Sequence, residues 1–154
     1  MSREITAGKL DSRCFIEEKV EEIRGAVGGG TAINALSGGV DSSAVTMLGH
    51  RALGKRLRTV FIDNGIMRRG EPERVARLFR KLRVGVEVVD AQQEFFAALR
   101  GITDPEEKRE AITRTFYKSV FGRIVRESGA RHLLQGTILT DVDETVAGIK
   151  RQHN

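Results

Sequence analysis

Short apolar runs of strand-forming residues alternate with longer amphipathic segments along this chain of 154 residues. The strand-like runs are TAINAL (31–36), LRTVFID (57–63), VGVEVVD (84–90) and HLLQ (132–135). Strands that alternate with helices predict a parallel sheet, because each crossover must return the chain to the same end of the sheet. The sequence therefore predicts an α/β fold, a three-layer parallel sheet of about four strands with helices on both faces.

Capping residues and glycines mark where the predicted helices begin and end. The first helix is expected to begin at Asp11 or Ser12 and to end at the glycines 28–30. A long helix should begin after Asp104, a good capping residue, and continue to Gly129. Between them, a short helix near residues 95–99 is expected to be anchored in the core by two adjacent phenylalanines.

Composition indicates a globular domain and excludes several classes of protein. The chain is 40% apolar and 31% charged, and no apolar run approaches the roughly 20 residues that cross a bilayer. No secretory signal opens the sequence, so we expect a cytoplasmic protein without a membrane partner. A single cysteine, Cys14, excludes an internal disulfide and a paired-cysteine zinc site, and we expect it to be packed rather than reactive.

The net charge of +5 favours partners that carry phosphate groups. Its basic residues are dispersed, and one tyrosine with no tryptophan leaves little surface for stacking bases. The charge therefore favours a nucleotide over a nucleic acid, which stays a minor hypothesis.

One junction, SGGVDSS (37–43), lies between the first predicted strand and the next helix. Gly38 and Gly39 have no Cβ, so the backbone can fold tightly around an oxyanion. Unpaired amides in the first turn of the helix, together with the helix dipole, favour negative charge there. Three hydroxyl groups add donors: Ser37, Ser42 and Ser43. The junction predicts a phosphate site, and an ordinary serine-capped turn is the alternative.

Acidic residues near this junction suggest a metal. Asp41 would repel a bare phosphate at close range, so it is better suited to hold a magnesium ion shared with phosphates. Farther along the chain, Asp141 and Asp143 form a D-x-D pair that either holds a metal or belongs to an exposed acidic loop. By contrast, GHRALGKR (49–56) imitates a Walker loop, but Arg56 stands where a magnesium-binding hydroxyl is needed, so we assign it to a helix end and turn.

Polar segments follow three of the predicted strands where each strand ends. They are 37–43 after the first strand, 63–65 after the second and 135–137 after the fourth. Ligands of parallel sheets bind at the carboxyl ends of the strands. That edge is therefore the predicted site.

The loop LSGGVDSS (36–43) resembles the SGGxDS pyrophosphate loop of the N-type ATP-pyrophosphatases, the PP-loop clan. Three further segments resemble, in the same order, the ATP-pyrophosphatase domain of GMP synthase: VFIDNGIMRRGEPERV, GITDPEEKREAI and LLQGTILTDVDET with IKRQHN. The loop alone indicates the clan, and the four segments together indicate GMP synthase or a close relative. The resemblance runs from about Phe15 to the last residue and implies an adenine nucleotide alpha hydrolase-like fold.

The resemblance implies a ligase of purine biosynthesis that uses ATP and Mg²⁺. ATP would adenylylate the C2 oxygen of XMP and release pyrophosphate, and ammonia would then displace AMP to give GMP. Catalysis of this kind needs positioning and charge stabilisation rather than a serine nucleophile.

The resemblance also implies roles for individual residues. ATP would bind the loop, the second strand and the QGT turn: Ser37, Gly38, Gly39, Val40, Asp41, Ser42, Ser43, Phe61, Ile62, Asp63, Gln135, Gly136 and Thr137. A lid would consist of Lys150, His153 and Asn154. Asp41, Asp141 and Lys150 would be catalytic, with Asp41 on the metal and Lys150 supplying the cation that the loop lacks.

The family pattern also predicts the domain organisation. Residues 1–154 would be a single ATP-pyrophosphatase domain truncated within the lid, with an incomplete sheet and without the dimerisation and glutaminase domains. Ammonia would come from a separate glutamine amidotransferase subunit or from solution, and a homodimer stays open. We expect the isolated chain to bind ATP weakly and to make no GMP.

Departures from the family pattern concern the acceptor side. Gln152 replaces the first histidine of the family's KSHHN lid, and ITRTF (112–116) replaces IGREF. A divergent ATP-pyrophosphatase with another acceptor and an inactive nucleotide-binding fragment are therefore the alternatives. An NAD synthetase relative would lack DNGIMRRGE and IKRQHN, and a tRNA-thiolating enzyme would need more cysteines.

Overall fold

All four predicted strand regions form strands in the computed structural model, which describes residues 11–137. The strands are β1 (Ala32–Ala35), β2 (Leu57–Asp63), β3 (Val86–Asp90) and β4 (His132–Leu133). They form one sheet in the order β3-β2-β1-β4, and each neighbouring pair is parallel. The predicted parallel α/β sheet is confirmed.

The helices fill the segments between the strands. They are α1 (Ser12–Val27), α2 (Val40–Leu53), α3 (Glu71–Lys81), α4 (Gln92–Leu99), α5 (Pro105–Arg114) and α6 (Gly122–Ser128). The Walker-like segment is the end of α2 followed by a 3₁₀ turn at Gly54–Arg56, as predicted. Asp11 caps α1 and Asp104 caps α5 by accepting hydrogen bonds from first-turn amides, which fixes both helix starts.

Alternate residues of the strands send their side chains into different hydrophobic clusters. Phe61 packs with Val75 and Phe79 of α3, while its neighbours Val60 and Ile62 pack in a cluster with Phe95 of α4. The α1 and α2 helices form a third cluster with the amino-terminal ends of β1 and β2. The sheet is therefore the middle of three layers, with α1 to α3 on one face and α4 to α6 on the other.

The long helix predicted from Asp104 to Gly129 is observed as one continuous helical run whose middle is π-helical. A π-helical segment, Thr115–Phe121, joins α5 to α6 without a break in the chain direction. The wider turn leaves Val120 and Phe121 buried against the sheet, while Phe116 and Tyr117 stay partly exposed. A π-helical turn of this kind often marks a functional site.

Two expectations about single side chains were wrong. Phe95 is fully buried, but Phe96 is 44% exposed, because adjacent helix residues point about 100° apart. Cys14 is exposed in the first turn of α1 rather than packed. A hydrogen bond to the Glu18 carboxylate and the charge of that carboxylate raise the pKa of the Cys14 thiol.

Within residues 11–137, no helix has both the length and the apolar character needed to cross a membrane.

Candidate functional site

The loop after β1 has a backbone that requires glycine. Gly38 has a φ of 82°, in the left-handed region that favours glycine. A Cβ at this position would also lie 3.2 Å from Cγ2 of Val75, which is tighter than an ordinary contact. Gly38 therefore lets the chain turn sharply from β1 into α2 while α3 packs directly behind it.

The three serines of the loop bond to the loop itself. The Ser37 amide donates to Oγ of Ser42 at 3.2 Å, and the two hydroxyl oxygens are 2.9 Å apart. The hydroxyls of Ser42 and Ser43 both donate to the Gly39 carbonyl, at 3.2 and 2.6 Å. These bonds tie the three hydroxyls to the loop itself and order it.

Backbone amides, by contrast, are available at the start of α2. The amide of Ser43 makes the first bond to the Gly39 carbonyl, at 3.1 Å. Among residues 11–137, no acceptor bonds to the amides of Val40, Asp41 or Ser42, as expected for the first turn of a helix. Free amides and the helix dipole together favour negative charge at the start of the 14-residue helix α2.

The turn after β4 packs against this helix start. The Leu134 amide donates to the Ile33 carbonyl at 3.0 Å and extends the pairing of β4 with β1. A Cβ at Gly136 would lie 3.1 Å from the backbone carbonyl of Asp41 and 3.3 Å from the Ser42 amide nitrogen. Only glycine lets the turn approach so closely, and the predicted meeting of these two segments at one sheet edge is confirmed.

A cavity of about 420 Å³ opens at this edge. One wall is polar and consists of the loop, the start of α2 and the QGT turn: Ser37, Gly39, Asp41, Ser42, Gln135 and Gly136. The opposite wall is mostly apolar and comes from β2, α5 and the π-helical segment: Ile62, Arg109, Ile112, Thr113, Phe116, Tyr117 and Phe121. A ligand with a charged end and a flat apolar end fits such a cavity.

Asp41 fits a magnesium ion that arrives with phosphate groups. Its side chain is exposed at the cavity, and no residue in the described part of the chain bonds to its carboxylate. Residues 11–137 contain no cluster of three or more acidic, histidine or cysteine side chains that could hold a metal by themselves. A metal here would therefore depend on ligand oxygens in addition to Asp41.

Of the three residues of β2 that were predicted to bind ATP, only one lines the cavity. Ile62 and Asn64 line the cavity, whereas the Phe61 side chain is fully buried on the other face of the sheet. The carboxylate of Asp63 accepts hydrogen bonds from the Gly65 amide and from Nε2 of Gln92, both at 2.9 Å. Asp63 therefore shapes the turn.

Several other predicted residues do not line the cavity. They are Gly38, Val40, Ser43 and Thr137, although the first three belong to the loop and helix start that form its polar wall. Asp141, Lys150, His153 and Asn154 lie outside the described residues.

The wall formed by α5 and the π-helical segment was not predicted from the sequence. Ile112 and Phe116 pack partly against the core, but they share one helix face with Arg109 and Thr113, and this face lines the cavity. Arg109 is the only lysine or arginine among the described lining residues. Burial raises the pKa of Tyr117, so its phenol stays protonated.

The sequence of this chain is similar to those of known proteins. A subunit of a glutamine-hydrolyzing GMP synthase from Archaeoglobus fulgidus is 50% identical over 145 residues, 94% of this chain and 47% of that protein. The corresponding protein from Pyrococcus furiosus is 52% identical over 141 residues, 91% of this chain and 45% of that protein. The chain thus spans about half the length of the curated relatives it matches.

A solved structure shows the same fold. An NH3-dependent NAD synthetase from Campylobacter jejuni superposes with a TM-score of 0.71 at 18% identity, covering 94% of this chain and 63% of that one. The fold is the predicted adenine nucleotide alpha hydrolase fold. The family model for asparagine synthase matches residues 32–153, from β1 through the loop and both walls of the cavity. The chain therefore belongs to the asparagine synthase family of PP-loop domains.

Proposed function

We propose that this chain is the ATP-pyrophosphatase part of a GMP synthase. It binds ATP with the phosphates at the start of α2 and the adenosine toward the apolar wall. The β- and γ-phosphates leave as pyrophosphate when the C2 oxygen of XMP attacks the α-phosphorus, which gives adenylylated XMP. Ammonia then displaces AMP to give GMP.

The observation that carries the proposal is the identity of about half of all aligned residues with a GMP synthase subunit over 94% of the chain. The geometry supports it, since the loop has Gly38 where the backbone needs a glycine and a helix start with free amides beside the cavity. A cavity of about 420 Å³ is within the range of small-molecule sites.

The residues of the polar wall would act by position and charge. The amides of Val40, Asp41 and Ser42 would stabilise the charge that develops on the departing pyrophosphate. A magnesium ion shared between Asp41 and the phosphates would neutralise part of that charge. We retain Asp141, Lys150, His153 and Asn154 as proposed contributors, with Lys150 as the cation for the phosphates.

The names of the relatives support a separate source of ammonia. They are glutamine-hydrolyzing enzymes, and each is named as one subunit of its synthase, which implies that another subunit exists. We propose a glutamine amidotransferase subunit as the partner that supplies ammonia. Because the reactants are water-soluble nucleotides, we expect the reaction to take place in the cytoplasm.

The experiment measures binding and turnover separately. Isothermal titration calorimetry with MgATP tests binding by the 154-residue chain, and Asp41→Asn should lose more affinity for MgATP than for metal-free ATP. Pyrophosphate release is then measured with XMP and ammonia and, in parallel, with other purine nucleotides and carboxylates as acceptors. Release with XMP supports the proposal, and release only with another acceptor supports the divergent enzyme. MgATP binding without any release supports the nucleotide-binding fragment, and absence of MgATP binding contradicts all three.

A further inference from the structure

Three buried polar side chains form a hydrogen-bonded chain behind the anion site. Asn34 in β1, Thr46 in α2 and Thr59 in β2 are 1%, 0% and 3% exposed. Burying such polar side chains is costly unless their polar atoms have hydrogen-bond partners. Hydrophobic packing alone does not explain why three polar side chains are buried here, which indicates a structural role for their hydrogen bonds.

The donors and acceptors run in one direction along this chain. The Thr59 hydroxyl donates to Oδ1 of Asn34 at 2.8 Å, and Nδ2 of Asn34 donates to the Thr46 hydroxyl oxygen at 2.6 Å. The Thr46 hydroxyl then donates to the Ser42 carbonyl at 2.7 Å. Hydrogen bonds arranged head to tail polarise one another, which strengthens each of them in a buried setting.

The last bond of the chain reaches the loop. The Ser42 carbonyl belongs to the same peptide group as the Ser43 amide, which donates to the Gly39 carbonyl at 3.1 Å. The two central strands of the sheet are thus tied, through three side chains, to the peptide that closes the first turn of α2. A bond from a threonine to the carbonyl four residues earlier is common in helices, but here it is continued by Asn34 into the sheet.

We propose that Asn34 and Thr46 are positioning residues for the anion site. They hold the first turn of α2 at a fixed angle to β1, so that the amides of residues 40–42 keep pointing at the ligand before it binds. Neither residue lines the cavity, so both act through Ser42 rather than by contact with ligand. The identity of the ligand as MgATP rests on the function proposed above, while the positioning of the loop does not.

The test compares isosteric substitutions at the two ends of this row of hydrogen bonds, Thr46 and Thr59. Thr46→Val removes the hydroxyl that contacts Ser42, and Thr59→Val removes the hydroxyl at the far end, in β2. Both side chains are buried, so both variants lose stability, but only Thr46→Val should weaken binding of MgATP and of pyrophosphate, by roughly tenfold. Thr46→Ser, which keeps the hydroxyl, should restore affinity. Equal affinities of Thr46→Val and Thr59→Val for both ligands would overturn the proposal.

A second measurement needs no ligand. Amide hydrogen exchange of Ser43 should be roughly tenfold faster in Thr46→Val than in Thr59→Val, because the turn opens locally. If the parent chain does not bind MgATP, the proposed function fails, and exchange alone decides whether the chain of hydrogen bonds orders the loop. If Thr46→Val does not fold, Asn34→Ala takes its place with the same expectation. Unchanged exchange of Ser43 in the folded variant contradicts the proposal.

Discussion

The two walls of the cavity are constructed in different ways. The polar wall is shaped by backbone features: the left-handed Gly38 behind it, a helix start with free amides, and the Gly136 turn pressed against Asp41. The opposite wall consists of side chains on α5 and the π-helical segment. A backbone wall suits a ligand group that every substrate shares, and a side-chain wall can change its specificity without changing the fold. Phosphate recognition and recognition of the rest of the ligand should therefore be separable by mutation.

The largest effect is expected from Gly38→Ala in the backbone wall. The substitution forces a side chain into the left-handed region and places its Cβ 3.2 Å from Val75. We expect about 1–3 kcal/mol lower stability and roughly tenfold to hundredfold weaker binding of both MgATP and pyrophosphate. Chemical denaturation and calorimetry measure the two quantities. Gly29→Ala, where a Cβ would meet nothing within 4 Å, is the matched control. Parent-like affinity in Gly38→Ala would show that the loop does not bind the phosphates.

Gly136→Ala should come next. Its Cβ would press on the backbone of Asp41 at 3.1 Å, and backbone cannot rotate away as a long side chain can. We expect the QGT turn to shift and the affinity for pyrophosphate to fall roughly tenfold, with a small change in stability. Gly85→Ala, at an exposed position with no neighbour within 4 Å, serves as the control. If both variants bind pyrophosphate equally, the turn is not part of the phosphate site.

Phe116→Ala tests the side-chain wall. The Phe116 ring lies 4.9 Å from the Tyr117 ring and 5.9 Å from the Phe121 ring, centroid to centroid, and it lines the cavity. We expect roughly two- to tenfold weaker binding of MgATP, because an aromatic contact with the adenosine is lost. Pyrophosphate, which has no apolar part, should bind as in the parent. Phe96→Ala, an exposed aromatic residue outside the cavity, controls for surface effects. A parallel loss for both ligands would contradict the separation of the two walls.

Arg109→Gln should have a smaller effect. Arg109 brings a positive charge to the cavity from α5, but it is 54% exposed and pairs with Glu106 at 2.6 Å, so solvent screens it. We expect roughly two- to fivefold weaker MgATP binding at low ionic strength and almost no effect at high salt. Arg114→Gln, on the same helix but outside the cavity lining, should leave affinity unchanged. A salt-independent loss would instead indicate a direct, desolvated contact.

The backbone wall could be predicted from sequence because its signals are local. A strand, two glycines and a helix start fall within a dozen residues, and β2 was predicted at 57–63 and observed at Leu57–Asp63. The convergence of the loop with the Gly136 turn was also predictable, since parallel strands end at a common edge. The resemblance to GMP synthase indicated which segments belong to the ATP site, but it did not predict the contacts between those segments.

The side-chain wall could not be predicted in the same way. Ile112 and Phe116 pack partly against the core and also line the cavity, and Phe116 lies within the π-helical segment, which no local propensity specifies. The hydrogen bonds from Asn34 to Thr46 and Thr59 also join residues distant in sequence. A polar Asn34 within an apolar strand was the one local signal, because such a residue needs buried partners.

The smallest effect is expected at Tyr117 in the side-chain wall, and it concerns stability at alkaline pH. Burial raises its pKa above the ordinary value of 10.0, so the folded chain holds the phenol proton at a pH where the unfolded chain releases it. The unfolded state then binds fewer protons than the folded state, and stability falls as the pH rises above about 10. Tyr117→Phe should remove this contribution to the loss of stability at alkaline pH, which chemical denaturation at several pH values measures. Because Tyr117 is the only tyrosine, its ionisation can be followed by ultraviolet absorbance without interference. Titration at or below pH 10 would show that water reaches the phenol and that the wall is more open than the cavity suggests.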